Sequence, residues 1–195
     1  MPRNGTKKKS KLKRGFLKEA NECAEEFRLE LNLRANDPIC PFALAVHLSI
    51  KVTPLSMWPG MPQKVIRHFQ GPGRDEFSAM TIKPDDYSEI IYNDGCGENR
   101  QRSSVMHEIA HIVIGHPMRP PIAGDGCRNF DPDMEYEANE FAYAVLIPPP
   151  AALRAVEAFS DLRRAAHYFG VSEQLLRHRV GRTNAVRWAA NRRKF

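Results

Sequence analysis

The spacing of apolar residues predicts two helices in the first quarter of the chain. Between residues 16 and 33, apolar side chains recur at intervals of three or four, which is the period of one helical face. The residues in this series are Phe16, Ala20, Ala24, Phe27 and Leu31. A second, shorter helix is expected from 41 to 48. Both helices would cover one side of a sheet.

Three short segments have the composition of strands instead. Residues 49–53, 77–82 and 88–92 carry β-branched or aromatic side chains between breaks rich in proline and glycine. The last segment is a candidate edge strand, which would hold an extended peptide by backbone pairing. Helices combined with such a small sheet predict an α+β fold.

The segment with the clearest chemistry lies in an apolar run and reads His107-Glu108-Ile109-Ala110-His111. On a helix, His107 and His111 lie one turn apart and can reach the same metal ion. Glu108 lies beside them, where its carboxylate can take a proton from water. This HExxH spacing is typical of zinc hydrolases. It therefore predicts His107 and His111 as metal ligands and Glu108 as the catalytic residue.

The bounds of this motif helix are predicted from the residues on either side. Asn99 is the expected N-cap, and Gly115 followed by Pro117 marks the end of the helix. A helix continued to His116 would place that side chain opposite the metal face. We therefore interpret His116 as a partner of the helix dipole rather than as a ligand.

A catalytic zinc site needs a third protein ligand, and a helix expected from 133 to 147 supplies acidic side chains. Glu135 and Asn139 share the face of this helix that also carries two alanines, which would allow a close approach. Glu135 is the predicted third ligand. Asn139, one turn later, is predicted to hydrogen-bond to a ligating histidine, and Glu137 is the alternative ligand.

These two motifs resemble the ImmA/IrrE family of zinc metallo-endopeptidases, in which HExxH is followed by a helix reading E-x-x-A-N/D-x-F-A. The second motif reads here Glu135-Tyr136-Glu137-Ala138-Asn139-Glu140-Phe141-Ala142. Further segments similar to family landmarks follow in the same order, at 14–20, 37–50, 90–93, 99–102 and 169–172. Ser103-Ser104-Val105-Met106 replaces the more usual Phe-Thr-Leu-Ala before the first histidine.

The resemblance implies a zincin-like fold for residues 15–158, with a helical extension at 159–195 packed on it. It further implies that zinc, or alternatively Mn²⁺, is bound by His107, His111 and Glu135, with Glu108 as the catalytic acid and base. The implied activity is that of an endopeptidase of narrow specificity. Its implied substrate is a regulatory protein such as a helix-turn-helix repressor.

The C-terminal part supports an alternative function. Residues 161–168, the turn at 169–172 and residues 173–180 resemble a helix-turn-helix pair, followed by Arg182, and the net charge of the chain is +6. A DNA-binding regulator with a non-catalytic metal site is therefore the second hypothesis. Residues 1–14 contain no acidic residue and are expected to form a disordered basic tail that contacts nucleic acid nonspecifically.

The remaining composition is typical of a cytoplasmic protein. The apolar runs are too short to cross a bilayer, and no apolar signal region follows the N-terminal lysines. The four scattered cysteines are expected to be reduced thiols, and a catalytic thiol at Cys96 or Cys127 is poorly supported.

Six side chains are alternative candidates for the residue that stabilises the oxyanion. These are His47, His68, Tyr136, Tyr143, His167 and His178.

Overall fold

The computed structural model describes residues 12–83, 87–117 and 131–192. Most of the basic tail predicted at 1–14 lies outside these ranges, and so does Cys127. The helices found within them are α1 (Phe16–Glu30), α2 (Pro41–His47), α3 (Gln63–Gln70), α4 (Glu98–Ile114), α5 (Pro132–Leu146), α6 (Pro149–Glu157), α7 (Leu162–Phe169), α8 (Glu173–Arg182) and α9 (Ala185–Arg192).

Three strands form one small sheet at the positions that the sequence predicts. They are β1 (Lys51–Pro54), β2 (Ala79–Ile82) and β3 (Glu89–Tyr92), in the order β1-β3-β2. β1 and β3 are parallel, whereas β2 and β3 are antiparallel. Helices with this small sheet agree with the predicted α+β class.

The prediction that residues 88–92 form an edge strand is wrong. β3 lies in the middle of the sheet, and Ile90 and Ile91 are both fully buried. Consecutive apolar residues on opposite faces are typical of a strand that is covered on both faces of its sheet. β2 is an outer strand of the sheet instead.

The motif helix α4 begins two residues earlier than predicted. Gly97 occupies the N-cap position without a side-chain hydrogen bond, and the helix starts at Glu98. Asn99 is therefore not the N-cap, and its Nδ2 instead donates to the carbonyl of Val171 at 3.1 Å. The predicted end is confirmed, because Gly115 has a left-handed φ of 77° directly after Ile114.

α4 occupies the core, where it packs against α2, α5, β2 and β3. Its residues Val105, Met106, Ile109 and Ala110 are buried. The partner helix α5 is preceded by its N-cap Asp131, whose carboxylate accepts the N–H groups of Asp133 and Met134. Of the helices in the described ranges, none combines the length and the apolar character that crossing a membrane requires.

Two buried arginines anchor the C-terminal end of α5, where the last carbonyls of a helix have no intrahelical partner. Arg28 on α1 donates to the carbonyl of Val145 at 2.9 Å and to that of Leu146 at 3.3 Å. Arg179 on α8 donates to the carbonyl of Ile147 at 2.9 Å. Burial lowers the pKa of each guanidinium to about 10, so both stay charged at neutral pH. Elements from the beginning and the end of the described chain therefore fix α5.

The helices predicted at 161–168 and 173–180 are present as α7 and α8. Asp161 and Ser172 are their N-caps, and Gly170 joins them with a left-handed φ of 64°. Both helices pack on α6, and α8 also contacts α5 and α9. α8 is thus packed against the helix that carries Glu135.

Candidate metal centre

The structure brings the three predicted ligands together. His107 and His111 lie one turn apart on α4, and their Nε2 atoms are 3.0 Å apart. Glu135 on α5 places one carboxylate oxygen 3.2 Å from Nε2 of His107 and the other 3.6 Å from Nε2 of His111. Among the described residues, this trio is the only group of three or more His, Cys, Asp or Glu side chains that could hold a metal ion.

The distances within this trio fit a zinc ion. Tetrahedral coordination with bonds of about 2.0–2.1 Å separates two ligand atoms by about 3.3 Å. The three observed separations of 3.0, 3.2 and 3.6 Å lie around that value. Two imidazoles with one carboxylate are also the donor set of a known class of catalytic zinc sites, which leaves the fourth position for water or substrate.

The electrostatics of the trio favour a bound cation. Hydrogen bonds with His107 and His111 hold the pKa of Glu135 far below its usual range, so this carboxylate is anionic. Burial works against a charged His107, yet the hydrogen bond to Glu135 and the charge of Glu108 raise the pKa of this imidazole overall. An anionic carboxylate beside two imidazoles is an environment that favours a bound cation.

Glu108 is held at the edge of the centre by a residue on the sheet. The hydroxyl of Thr81 on β2 donates to one oxygen of Glu108 at 2.7 Å. Sequence reasoning missed Thr81, because it belongs to no motif and lies 27 positions from Glu108. Only the packing of β2 on α4 brings the two side chains together.

A cleft of about 280 Å³ opens at these residues. Its lining side chains are Ser78, Ser103, Ser104, His107, Glu108, Glu135, Asn139 and Tyr143. The cleft is polar, and it contains both the predicted ligands and the predicted catalytic carboxylate.

Of the six side chains left open as oxyanion donors, Tyr143 is the one that lines this cleft. Burial is the main reason that the pKa of its phenol is raised, so the hydroxyl keeps the proton that a donor needs. His47, His68 and His178 pair instead with carboxylates elsewhere in the described structure. His167 lines a separate depression beside the N-terminus of α4.

The other predicted side chains of α5 occupy distinct positions. Asn139 hydrogen-bonds to His107, as its spacing from Glu135 predicts. Glu137, the alternative ligand, lies outside the trio, and its carboxylate contacts His116 at 3.3 Å. Glu135 is therefore the acid of this helix that faces both histidines.

The prediction that His116 lies opposite the metal face is wrong. Its Nδ1 lies 2.9 Å from Nδ1 of His111. The prediction assumed a continued helix, but the left-handed Gly115 reverses the chain, and the N–H of His116 returns to the carbonyl of His111 at 3.0 Å. The residue after the turn therefore lies against a predicted ligand instead of opposite the metal face.

Comparison with known families agrees with this geometry. The model of the Peptidase_M78 family, described as the IrrE N-terminal-like domain, matches residues 63–180. The chain belongs to this family. The match includes His107, Glu108, His111 and Glu135, and it confirms the resemblance to ImmA/IrrE proteins. No curated protein matches the chain significantly, and neither does any solved structure.

Membership of the Peptidase_M78 family implies a metallopeptidase. The matched range extends through α7 and most of α8. The helix pair that resembles a helix-turn-helix is therefore part of the matched peptidase domain.

Proposed function

We propose that this chain is a zinc-dependent endopeptidase of zincin-like architecture that hydrolyses one peptide bond in a regulatory protein. The observation that carries the proposal is the convergence of two helices and a strand on one cleft. His107 and His111 from α4 and Glu135 from α5 fit a zinc ion there, while Thr81 from β2 orients Glu108 beside them.

The chemistry follows from these groups. A zinc ion bound by the trio would supply a Lewis acid that lowers the pKa of water and polarises the substrate carbonyl. Glu108 takes the proton from the attacking water and returns it to the leaving nitrogen. Because one oxygen of Glu108 accepts the hydrogen bond from Thr81, the other oxygen is left for this transfer. No nucleophilic serine or cysteine is required.

The outer edge of β2 is the proposed docking strand for the substrate. Ser78 lies opposite Asn93 in the extended register, and its carbonyl accepts the N–H of Asn93 at 2.8 Å. Antiparallel pairs alternate, so the N–H and carbonyl groups of Ala79 and Thr81 point away from β3. An extended peptide added at this edge would pass the Thr81 side chain, which contacts Glu108.

A repressor-like protein is the proposed substrate class, on the strength of the family resemblance. The small cleft supports narrow specificity, because it admits a short extended segment. A segment of that kind is available in linkers between domains of regulatory proteins and absent from their folded surfaces.

The test is capture of the substrate with a variant that binds but does not cleave. Glu108→Gln should keep the metal and lower cleavage by about 10²–10⁴-fold, since it removes the proton acceptor. Glu98→Gln makes the same change at an exposed position of the same helix and should cleave like the wild type. Pull-downs from the native host are compared by mass spectrometry.

An intact regulatory protein recovered with Glu108→Gln, and a clipped one with Glu98→Gln, would support the proposal. Equal cleavage by both variants would overturn the role of Glu108. Recovery of DNA by both, without a clipped protein, would favour the regulator instead. The capped α7–α8 pair favours that second candidate, but Arg177 and Arg182 on its outer face already pair with Glu173 and Glu140.

A further inference from the structure

Two side chains next to the metal centre have no part in the proposed hydrolysis. His116 follows the turn at Gly115, and Glu137 lies two residues after Glu135 on α5. Their side chains are only 8% and 10% exposed. Nε2 of His116 lies 3.3 Å from a carboxylate oxygen of Glu137, while Nδ1 of His116 lies 2.9 Å from Nδ1 of His111. The three side chains form one continuous chain of contacts.

When a metal is bound, the ring protons of His111 and His116 can be assigned in one consistent way. His111 offers Nε2 to the metal, because that atom faces His107 and Glu135. Its ring proton must then lie on Nδ1, which becomes a donor. His116 accepts this hydrogen bond through its own Nδ1, so its proton lies on Nε2. That proton points at Glu137, whose carboxylate accepts it.

We propose that His116, supported by Glu137, is a positioning residue that fixes the tautomer and ring orientation of His111 for metal binding. This inference rests on the proposed metal centre. A ligating imidazole whose second nitrogen has a fixed acceptor presents its lone pair in one direction and is a stronger base. Loss of such an acceptor typically weakens metal binding by about 10–100-fold.

The turn at Gly115 makes this arrangement available. Its left-handed φ of 77° ends the helix and directs the next residue back along α4. A Cβ at Gly115 would meet no atom within 4 Å, so the requirement for glycine there comes from backbone conformation rather than crowding.

The other predicted histidine ligand, His107, is supported by a hydrogen bond with Asn139 on α5. Each predicted histidine ligand thus has its own supporting side chain.

The experiment measures metal binding directly. Zn²⁺ affinity of the purified full chain is determined by competition with a chromophoric chelator, and the visible spectrum is recorded with Co²⁺. His116→Ala should bind Zn²⁺ about 10–100-fold more weakly than wild type and alter the Co²⁺ bands. In His116→Asn, an amide oxygen can replace Nδ1 as the acceptor, so affinity should return to within a few-fold. His47→Ala removes an imidazole that pairs with Glu30 at the surface and is the matched control.

Different outcomes test the positioning role of His116 and the proposed metal centre on which it rests. Wild-type affinity in a folded His116→Ala variant would overturn the positioning role. Failure of the wild type itself to bind Zn²⁺ would overturn the metal centre. If His116→Ala does not fold, Glu137→Gln decides the question, because it weakens the acceptor at the end of the chain without removing a ring. Unchanged affinity and Co²⁺ bands in that variant would count against the proposal.

Discussion

One hydroxyl orients Glu108, the carboxylate that we propose to be catalytic. Glu108 has several rotamers available in an open cleft, and only some direct an oxygen at the substrate. The 2.7 Å hydrogen bond from Thr81 selects among them. A hydrogen bond to a charged group contributes about 1.5–3 kcal/mol. Thr81 is therefore expected to matter for turnover although it transfers no proton.

Replacing Thr81 with valine should lower kcat by about tenfold to a hundredfold, because the carboxylate loses its fixed orientation. Thr81→Ser keeps the hydroxyl and should retain most of the activity. The control is Thr53→Val, which removes a partly buried strand hydroxyl from β1, where it contacts Glu89 instead. Steady-state cleavage of a captured substrate provides the measurement. A kcat for Thr81→Val equal to that of the Thr53→Val control would exclude an orienting role.

The residues predicted from the sequence are those that one helix places at a fixed spacing. His107, Glu108 and His111 follow from the period of α4, and Glu135 with Asn139 follows from that of α5. Thr81 was not predictable, because strand packing brings it to the centre. His116 was misplaced for another reason. The glycine predicted the end of the helix, but not the direction that the chain takes after it.

At the scale of elements, the position of β3 in the sheet was the main error. The three segments were predicted correctly from composition, yet strand order depends on contacts between distant parts of the chain. β3 lies between strands that precede it in sequence. Its two buried isoleucines were the available signal, since a strand that faces water on one side alternates apolar with polar residues.

The outer edge of β2 makes a testable docking strand. Ala79→Pro removes an N–H group that points away from β3, so the sheet should persist while one hydrogen bond to the substrate is lost. The expected result is a fall in kcat/KM of about threefold to tenfold. Ala79→Val is the control, because it enlarges the side chain but keeps the N–H group. Equal kcat/KM for the proline and valine variants would rule out backbone pairing at this position.

At the scale of the whole molecule, one buried carboxylate links stability to pH. Glu89 on β3 is 3% exposed, and the Thr53 hydroxyl donates to it at 2.6 Å. This hydrogen bond is the main reason that the pKa of Glu89 is lowered, and Lys51 adds to the effect against burial. A carboxylate whose pKa is lowered by folding stabilises the fold above its ordinary pKa of 4.5. That contribution is lost as the pH falls through the lowered value.

Thr53→Val should therefore destabilise the protein at neutral pH and much less in acid. The free energy of unfolding is measured by urea titration at pH 7 and at pH 3, with circular dichroism as the probe. At pH 7 the variant lacks a hydrogen bond to a charged group, a loss of about 1.5–3 kcal/mol. At pH 3 Glu89 is closer to protonation in both proteins, so the difference should shrink. An equal difference at the two pH values would show that this ionisation is not linked to folding.

The two buried arginines also bear on how the protein folds during its synthesis. Two of the carbonyls that Arg28 contacts lie 117 and 118 positions further along the chain, and Arg179 contacts one 32 positions before it. Chains are synthesised from the N-terminus, so α1 leaves the ribosome long before α5, and α5 before Arg179. The two histidines can meet within one helix, and Arg28 can contact the end of α5 once that helix has emerged, but the contact from Arg179 is added only later. A growing chain that stops short of α8 would possess every residue of the predicted centre but only one of the two arginines that anchor α5.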